Sequence, residues 1–466
     1  MSESNQVSSN LSRTAFDDRI SLIRPRGLML RVLTATSLAF AFDNADQAAM
    51  GIVAPAVRGS LNVGLNEVGL LISVTYFGLF LGAVTGGYIS DRYGRLFLMR
   101  WSLTLASIGA LSHLLVGGMS DFLLIRFLSA LGMGGLYVSS LTYVAEMSQR
   151  KDRGYRIAIT YFIGQIGAVI LVTSARFIIP IDEDAWRYVI GIGGLGLIAL
   201  VPMIGLPESP LWLFERGRLD EAEAALTRLE RRSGIADRVG SASANSDSTN
   251  ISLSQLREDE TEKALTGKVK SRWVELFRGS LLLPTFVLIA VWVLYSSITM
   301  TYAGWLPTIL GLQGFTSEDL LTISALAFWG APLGALLSLF VVRRIPRFRL
   351  WAYIVVLAAI CGVILSVAPS GGIIAVSAFI QYALFGLFAP ILNALVADSY
   401  PTGVRARGTG LTFSAGRLTN VLAPLTLAVA LGALGHVVVG WYLMTAWLLI
   451  GVAGAVMHQR MKVAQV

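Results

Sequence analysis

Long apolar stretches, separated by short polar turns, follow one another from residue 29 almost to the end of the chain. They cover 29–56, 67–89, 96–117, 121–145, 155–180, 187–206, 281–309, 318–342, 350–369, 371–397, 408–433 and 437–457. A helix needs about 20 apolar residues to cross roughly 30 Å of hydrocarbon, so each stretch predicts a spanning helix. None shows the short alternation of a barrel strand, and helix is the form that satisfies its own backbone in lipid. The predicted fold is an all-α membrane protein of twelve transmembrane helices.

The longest polar interruption divides six stretches from six and sets the expected organisation: a cytoplasmic tail over 1–28, a six-helix bundle over 29–206, a cytoplasmic linker over 207–280, a second bundle over 281–457 and a tail over 458–466. Within the linker, Leu219 to Arg232 places apolar residues at helical spacing with acids early and arginines late, which predicts an amphipathic surface helix. The Ser/Asn-rich stretch 241–254 reads as disordered. An offset of 252 residues carries Glu146 onto Asp398, Arg153 onto Arg405 and Gly164 onto Gly416. Duplication explains three agreeing pairs, so the two bundles are expected to be pseudo-symmetric. The same offset carries Asp91 onto Arg343 and Gly94 onto Pro346, a degraded second copy of that loop, from which only the first is expected to latch strongly.

Composition agrees with a lipid environment: 55% hydrophobic and 14% charged residues, with a mean hydropathy of +0.66. The net charge of +8 could suggest a nucleic-acid partner. The arginines instead sit at alternate connections: Arg13, Arg19, Arg24 and Arg26 before the first stretch, Arg92, Arg95 and Arg100 after the second, Arg343, Arg344, Arg347 and Arg349 after the eighth. That is the positive-inside pattern, and it predicts an inner (plasma) membrane protein with both termini cytoplasmic and no nucleic-acid partner. The first 28 residues lack the apolar core of a cleavable signal. Cys361 is a lone thiol in an apolar span, which suits packing. His113, His436 and His458 are isolated, and no nucleophile, metal-ligand or phosphate-loop constellation occurs, so neither an enzyme nor a cofactor is expected beyond a proton as coupling ion.

A charge at membrane depth costs at least about 2.5 kcal/mol on insertion scales, so the few present invite a functional reading. Asp43 and Asp46 lie mid-span at i, i+3, on one helix face. Two such carboxylates do not comfortably both ionise in low dielectric, so one is expected to take up and release a proton; the alternative is pairing with a buried arginine that fixes packing. Arg126, in the fourth span before Gly132, Gly134 and Gly135, is within reach of the first span and could govern that proton or simply pair. Arg417 lies two to three turns inside the eleventh span, and no carboxylate lies in any C-terminal span. Its partner must be an N-terminal acid, water or the substrate, and a guanidinium facing a cavity suits a carboxylate. Tyr76, Phe80, Gln165, Trp292, Tyr295, Tyr302, Trp305, Gln381 and Asn393 complete a candidate pocket. Each aromatic taken alone is as well explained by packing or lipid contact.

Gly87-Tyr-Ile-Ser-Asp91-Arg92-Tyr-Gly94-Arg95, between the second and third spans, resembles the loop signature of the major facilitator superfamily, and Arg126 with its glycines resembles a second motif of that superfamily, with Ala130 where a glycine is usual. Pro207-Glu208-Ser209-Pro210-Leu-Trp212-Leu is similar to the motif after span six shared by sugar porters, organic-ion transporters, the synaptic-vesicle-protein-like group and aromatic-acid:proton symporters. Trp305-Leu-Pro307, and Asp398-Ser-Tyr-Pro401-Thr-Gly-Val-Arg405 leading to Gly416-Arg417, are most similar to the aromatic-acid symporters. The acid pair matches that group's span-one motif as Asp-Asn-Ala-Asp in place of Asp-Gly-x-Asp. The sugar porters' Pro-Glu-Thr-Lys and glutamine pair are missing, as is the antiporters' proline after Gly164.

The resemblance implies alternating access by two rocking bundles. The expected function is proton-coupled uptake of a small organic anion, an aromatic or heteroaromatic monocarboxylate, by a monomer. A sugar or polyol symporter, an exporter and a non-transporting sensor of the same fold remain as alternatives. The loop Gly87, Asp91, Arg92, Gly94 and Arg95, with the duplicated pairs Glu146 with Arg153 and Asp398 with Arg405, is expected to latch the cytoplasmic side.

Overall fold

The computed structural model describes residues 26–149, 152–232, 273–342, 344–368 and 370–463. Arg13, Arg19, Arg24, Arg343 and the stretch 241–254 fall outside them. The long helices are α1 (Arg26–Ser60), α2 (Leu65–Tyr93), α3 (Arg95–Ser112), α4 (Met119–Glu146), α5 (Arg153–Ile178), α6 (Trp186–Met203), α7 (Leu282–Leu312), α8 (Ser317–Val341), α9 (Arg347–Val367), α10 (Gly371–Ser399), α11 (Thr402–Leu434) and α12 (Val437–Val463). Ten are apolar enough to cross a membrane by length and composition alone. The other two are α1, interrupted by Asp43, Asn44, Asp46 and Gln47, and α3, with Arg95 and Arg100 in its first turns. Both pack inside the first bundle, α1 against α5 and α6, α3 against α4 and α6.

Two spans depart from a plain helix. In α6 the residues Ile192–Met203 wind as a 3-10 helix, in a glycine-rich stretch whose Gly193, Gly194 and Gly196 approach Ala110, Leu111 and Ser107 of α3. In α8 the helix breaks at Trp329, because Pro332 has no N–H to return to the carbonyl four residues earlier.

The two halves pack by the same rule. In the first, α1 lies on α5, α2 on α4 and α3 on α6; in the second, α7 lies on α11, α8 on α10 and α9 on α12. The related glycines Gly164 and Gly416 serve one purpose. A Cβ on Gly164 would sit 2.5 Å from the Phe40 ring of α1, and one on Gly416 would sit 2.5 Å from Ser296 Oγ of α7. Between the surface helices, Ser209 caps Pro210–Glu215, and Leu219–Arg232 turns Ala222, Ala225 and Leu226 inward.

The halves meet through α1 with α7, α2 with α11 and α5 with α8. The tight approaches lie away from the arginine-rich turns: Gly51 against the Ala303 carbonyl, Gly69 against Pro424 and Ala428, and Arg176 4.0 Å from Glu318. Nearer the arginine-rich end, a Cβ on Gly87 of α2 or Gly410 of α11 would meet nothing within 4 Å. The closest approaches between the halves thus gather at the end away from the arginine-rich turns, the pinched end. A Cβ on Gly51 would lie 2.0 Å from that carbonyl, so Gly51→Leu should spread the pinched ends. Spin labels at Gly59→Cys and Gly311→Cys report this as a longer mean distance, and an unchanged distance would contradict it.

At the pinched end the Ser60 hydroxyl donates to Asp184, tying α1 to the turn before α6, and this bond holds the Asp184 carboxyl below its ordinary range. A lowered carboxylate favours the folded tie above the ordinary range, and that contribution is lost as pH falls through the lowered value.

Candidate functional site

Arg417 is half-buried on α11, midway along the bundle and between the halves. Its guanidinium stands 4.6 Å from the centroid of Tyr137 on α4 and 5.1 Å from that of Phe413. Both are cation–π distances. It forms no hydrogen bond or ion pair among the described residues. The Tyr137 and Tyr161 hydroxyls are 2.6 Å apart. Phe40 of α1 packs against both rings, at 5.4 and 4.9 Å. On the far side Trp292 meets Phe413 edge-on at 5.2 Å. The result is an aromatic slot with one cation in its wall.

The two acids of α1 part company. Asp46 turns into the first half, where its Oδ2 lies 2.6 Å from Arg126 Nη2 with both side chains sealed from solvent. That contact lacks hydrogen-bond alignment; Arg126 also donates to the Asp46 carbonyl at 3.0 Å and to Thr75 Oγ1 at 3.1 Å. Asp43 accepts from Gln47 at 2.9 Å, and its Oδ1 has no partner among the described residues. It lies within the electrostatic reach of Arg417, without a contact of ion-pair length. The two acids stay within electrostatic reach of each other, yet i, i+3 leaves them about 60° apart around the helix, enough to give Asp46 the buried arginine and Asp43 a different neighbour.

Of the other pocket candidates, Tyr76 is half-buried within electrostatic reach of Arg126, Arg417 and Asp43. Gln165 is half-buried on α5 and Asn393 exposed on α10. The Tyr295 hydroxyl donates to the Phe385 carbonyl at 3.1 Å, and Trp292 Nε1 and the Tyr302 hydroxyl are buried without a partner among the described residues. Gln381 is a correction. It is fully buried in the second half, where its amide is oriented to donate to the Ala358 carbonyl at 3.1 Å and accept from Trp447 Nε1 at 3.2 Å. It braces α9, α10 and α12. Tyr137, Tyr161 and Phe40 were not anticipated, because an aromatic in a span is ordinary. Asn420, one turn beyond Arg417, has its buried Oδ1 unpartnered among the described residues and was missed as well.

The loop residues form a dense cluster. Arg95 reaches Asp91 at 2.6 Å and Glu146 at 3.2 Å. Glu208, from the motif after α6, accepts from the N–H groups of Arg95, Leu96 and Phe97 at 3.0 to 3.4 Å and so caps α3. Gly94 is required there: its φ is +112°, and a Cβ would lie 2.3 Å from the Glu208 carboxylate. Arg92 sits 5.4 Å over the Tyr93 ring. Trp212 Nε1 donates to the Asp91 carbonyl at 2.8 Å, pinning the linker.

The pairing of Asp398 with Arg405 is corrected. Asp398 is taken by Arg347 of α9 at 2.6 Å, while Arg405 donates to the Tyr400 carbonyl at 3.3 Å. The offset of 252 carries Arg95 onto Arg347, so the ion pair from the helix after the loop to the acid is present in both copies. The second copy is less degraded than Arg343 and Pro346 suggest. Arg153, half-buried at the start of α5, keeps its Nε without a hydrogen bond among the described residues.

A family model described as the Major Facilitator Superfamily matches residues 36–424. A Bacillus subtilis (strain 168) protein, YyaJ, named only as a metabolite transport protein, is 31% identical, with 92% of each chain covered. The niacin transporter NiaP of Acinetobacter baylyi is 23% identical over 85% of this chain and 86% of its own. The gallate transporter of Pseudomonas putida is 27% identical over 84% of each. In fold, the chain is similar to the inward-open xylose transporter XylE of E. coli, with a TM-score of 0.68, 16% identity, and coverage of 91% of this chain and 95% of that one.

Proposed function

Because the chain belongs to the major facilitator superfamily, and is thus a multi-pass secondary transporter, we propose that it is a proton-driven symporter taking up a small aromatic or heteroaromatic monocarboxylate. Arg417 carries this reading: a central cation held over the Tyr137 and Phe413 rings, without an ion pair among the described residues. A carboxylate would take the guanidinium fork while its ring packs against the neighbouring aromatic side chains. The names of the niacin and gallate transporters support an aromatic acid.

Coupling follows from Asp43. While it is ionised it offsets the charge of Arg417 and repels an incoming anion. A proton on Asp43 removes both effects, so proton and anion bind together as a neutral pair. Asp46, held by Arg126, exchanges that proton with Asp43 one turn away. In this reading the arginine-rich turns face the cytoplasm with both termini, and the pinched end faces outward. Proteoliposomes loaded with a pH dye should show proton entry on adding external nicotinate or 4-hydroxybenzoate, and none with xylose or inositol. Proton entry driven by the sugars alone would overturn the anion reading, and saturable binding of the acids without proton entry would overturn transport in favour of sensing.

A further inference from the structure

His113 ends α3 at the pinched end, one turn inside an exposed corner where Leu115 is 85% exposed. Its side chain is fully buried. Nδ1 lies 2.7 Å from the Gly109 carbonyl, which makes it the donor and leaves Nε2 the acceptor; Nε2 has no partner among the described residues. The ring stands edge-on to Phe122 at 5.1 Å, and Phe122 stacks on Trp186 at 5.2 Å. One turn deeper on α4 than Phe122 is Arg126, with Asp46 against it. Gly193 of α6 packs close by, its Cβ position lying 2.9 Å from Ala110 Cβ and 3.5 Å from Asp46 Oδ1.

Three residues here carry buried polar atoms that lack a protein hydrogen bond among the described residues: His113 at Nε2, Asp46 at both carboxylate oxygens and Arg126 at Nη1. Buried polar groups are satisfied almost without exception, and water is the occupant small enough to serve all three. The charged groups within electrostatic reach of His113 are Arg126 of α4 and Asp46 of α1. In the turn that follows, Asp121 accepts from the Gly117 N–H at 3.2 Å and Arg187 donates to the Val116 carbonyl.

We propose that His113 is the proton entry relay of this carrier, loading Asp46 from the outer face through the first bundle by a route separate from the substrate cavity. This rests on the coupling role given above to Asp43 and Asp46. In the step, Nε2 accepts a proton from external hydronium when the corner over it opens, leaving water. The imidazolium then passes that proton through an intervening water to the Asp46 carboxylate and returns to the neutral ring, its Nδ1–H bond to Gly109 kept throughout. A path on this side lets protons arrive while the pinched end shuts out the substrate.

The test needs no substrate. Purified full-length protein in lipid is stepped to lower pH, and infrared spectroscopy follows the rise of the protonated-carboxyl stretch that Asp46→Asn removes. In His113→Gln the rise should slow on the order of a hundredfold, with its final amplitude and pH midpoint unchanged, and added imidazole should speed it in His113→Ala. An unchanged rate overturns the relay, and so does a shifted midpoint at unchanged rate, which marks His113 as a packing group acting on Asp46. If Asp46→Asn removes no band while nicotinate still drives proton entry, the relay fails and symport stands. If proton entry is lost in the parent as well, it is the symport reading that fails.

Discussion

Replacing Arg417 by alanine should weaken nicotinate binding by roughly thirtyfold or more, the consequence of removing one partner of a desolvated charge pair worth on the order of 2 to 5 kcal/mol. Lysine keeps the charge but loses the planar fork and its stacking on Tyr137 and Phe413, so Arg417→Lys should fall between the parent and the alanine variant. Nicotinamide separates recognition from structure: it fits the same slot without a carboxylate. It should bind the parent weakly and lose little more in Arg417→Ala. The cycle is read by calorimetry. Equal losses for acid and amide would make Arg417 a packing residue and remove the support for an organic anion.

The second large effect is expected at Asp43. Asparagine mimics the protonated acid, so Asp43→Asn should bind nicotinate independently of pH, whereas binding to the parent should tighten as pH falls. At one proton per anion, a gradient of one pH unit should sustain about tenfold accumulation in the parent. In the variant this should collapse to equilibration, while exchange of labelled for unlabelled nicotinate continues. Accumulation that survives in Asp43→Asn would assign coupling elsewhere. Asp46→Asn should also block accumulation but carries a structural cost, since it strands Arg126 in a site sealed from solvent.

The spans and the repeat were legible because both are written in local pattern: apolar length, and an acid, an arginine and a glycine recurring 252 residues on. Helix ends follow within a few residues, as with α1, anticipated over 29–56 and found over Arg26–Ser60. The break in α8 was signalled by Pro332 but hidden by the unbroken apolar run. At the site, charge was legible and contact was not. Asp43, Asp46, Arg126 and Arg417 stand out because lipid makes each costly, yet which acid faces which arginine depends on helix rotation, which spacing leaves open. Gln381 was misplaced for the same reason: an amide in a span needs a partner, and its partners proved to be Ala358 and Trp447 rather than a solute. Tyr137 and Tyr161 gave no sign, since their value lies in a hydroxyl contact between two helices.

The related pairs of Arg95 with Glu146 and of Arg347 with Asp398 each join two helices of the same half. Under the proposed alternating access each bundle would carry its own bracing with it, and neither pair would have to be broken for the site to change sides. The contacts that must come apart are the uncharged approaches of Gly51 to Ala303 and of Gly69 to Pro424 and Ala428, with the loose Arg176–Glu318 contact beside them. The cycle thus runs on surfaces that slide at little electrostatic cost. A carrier crippled by substitution at Glu146 or Asp398 would be one whose bundles no longer hold their shape, and its defect would show first in yield and melting temperature, before any effect on turnover.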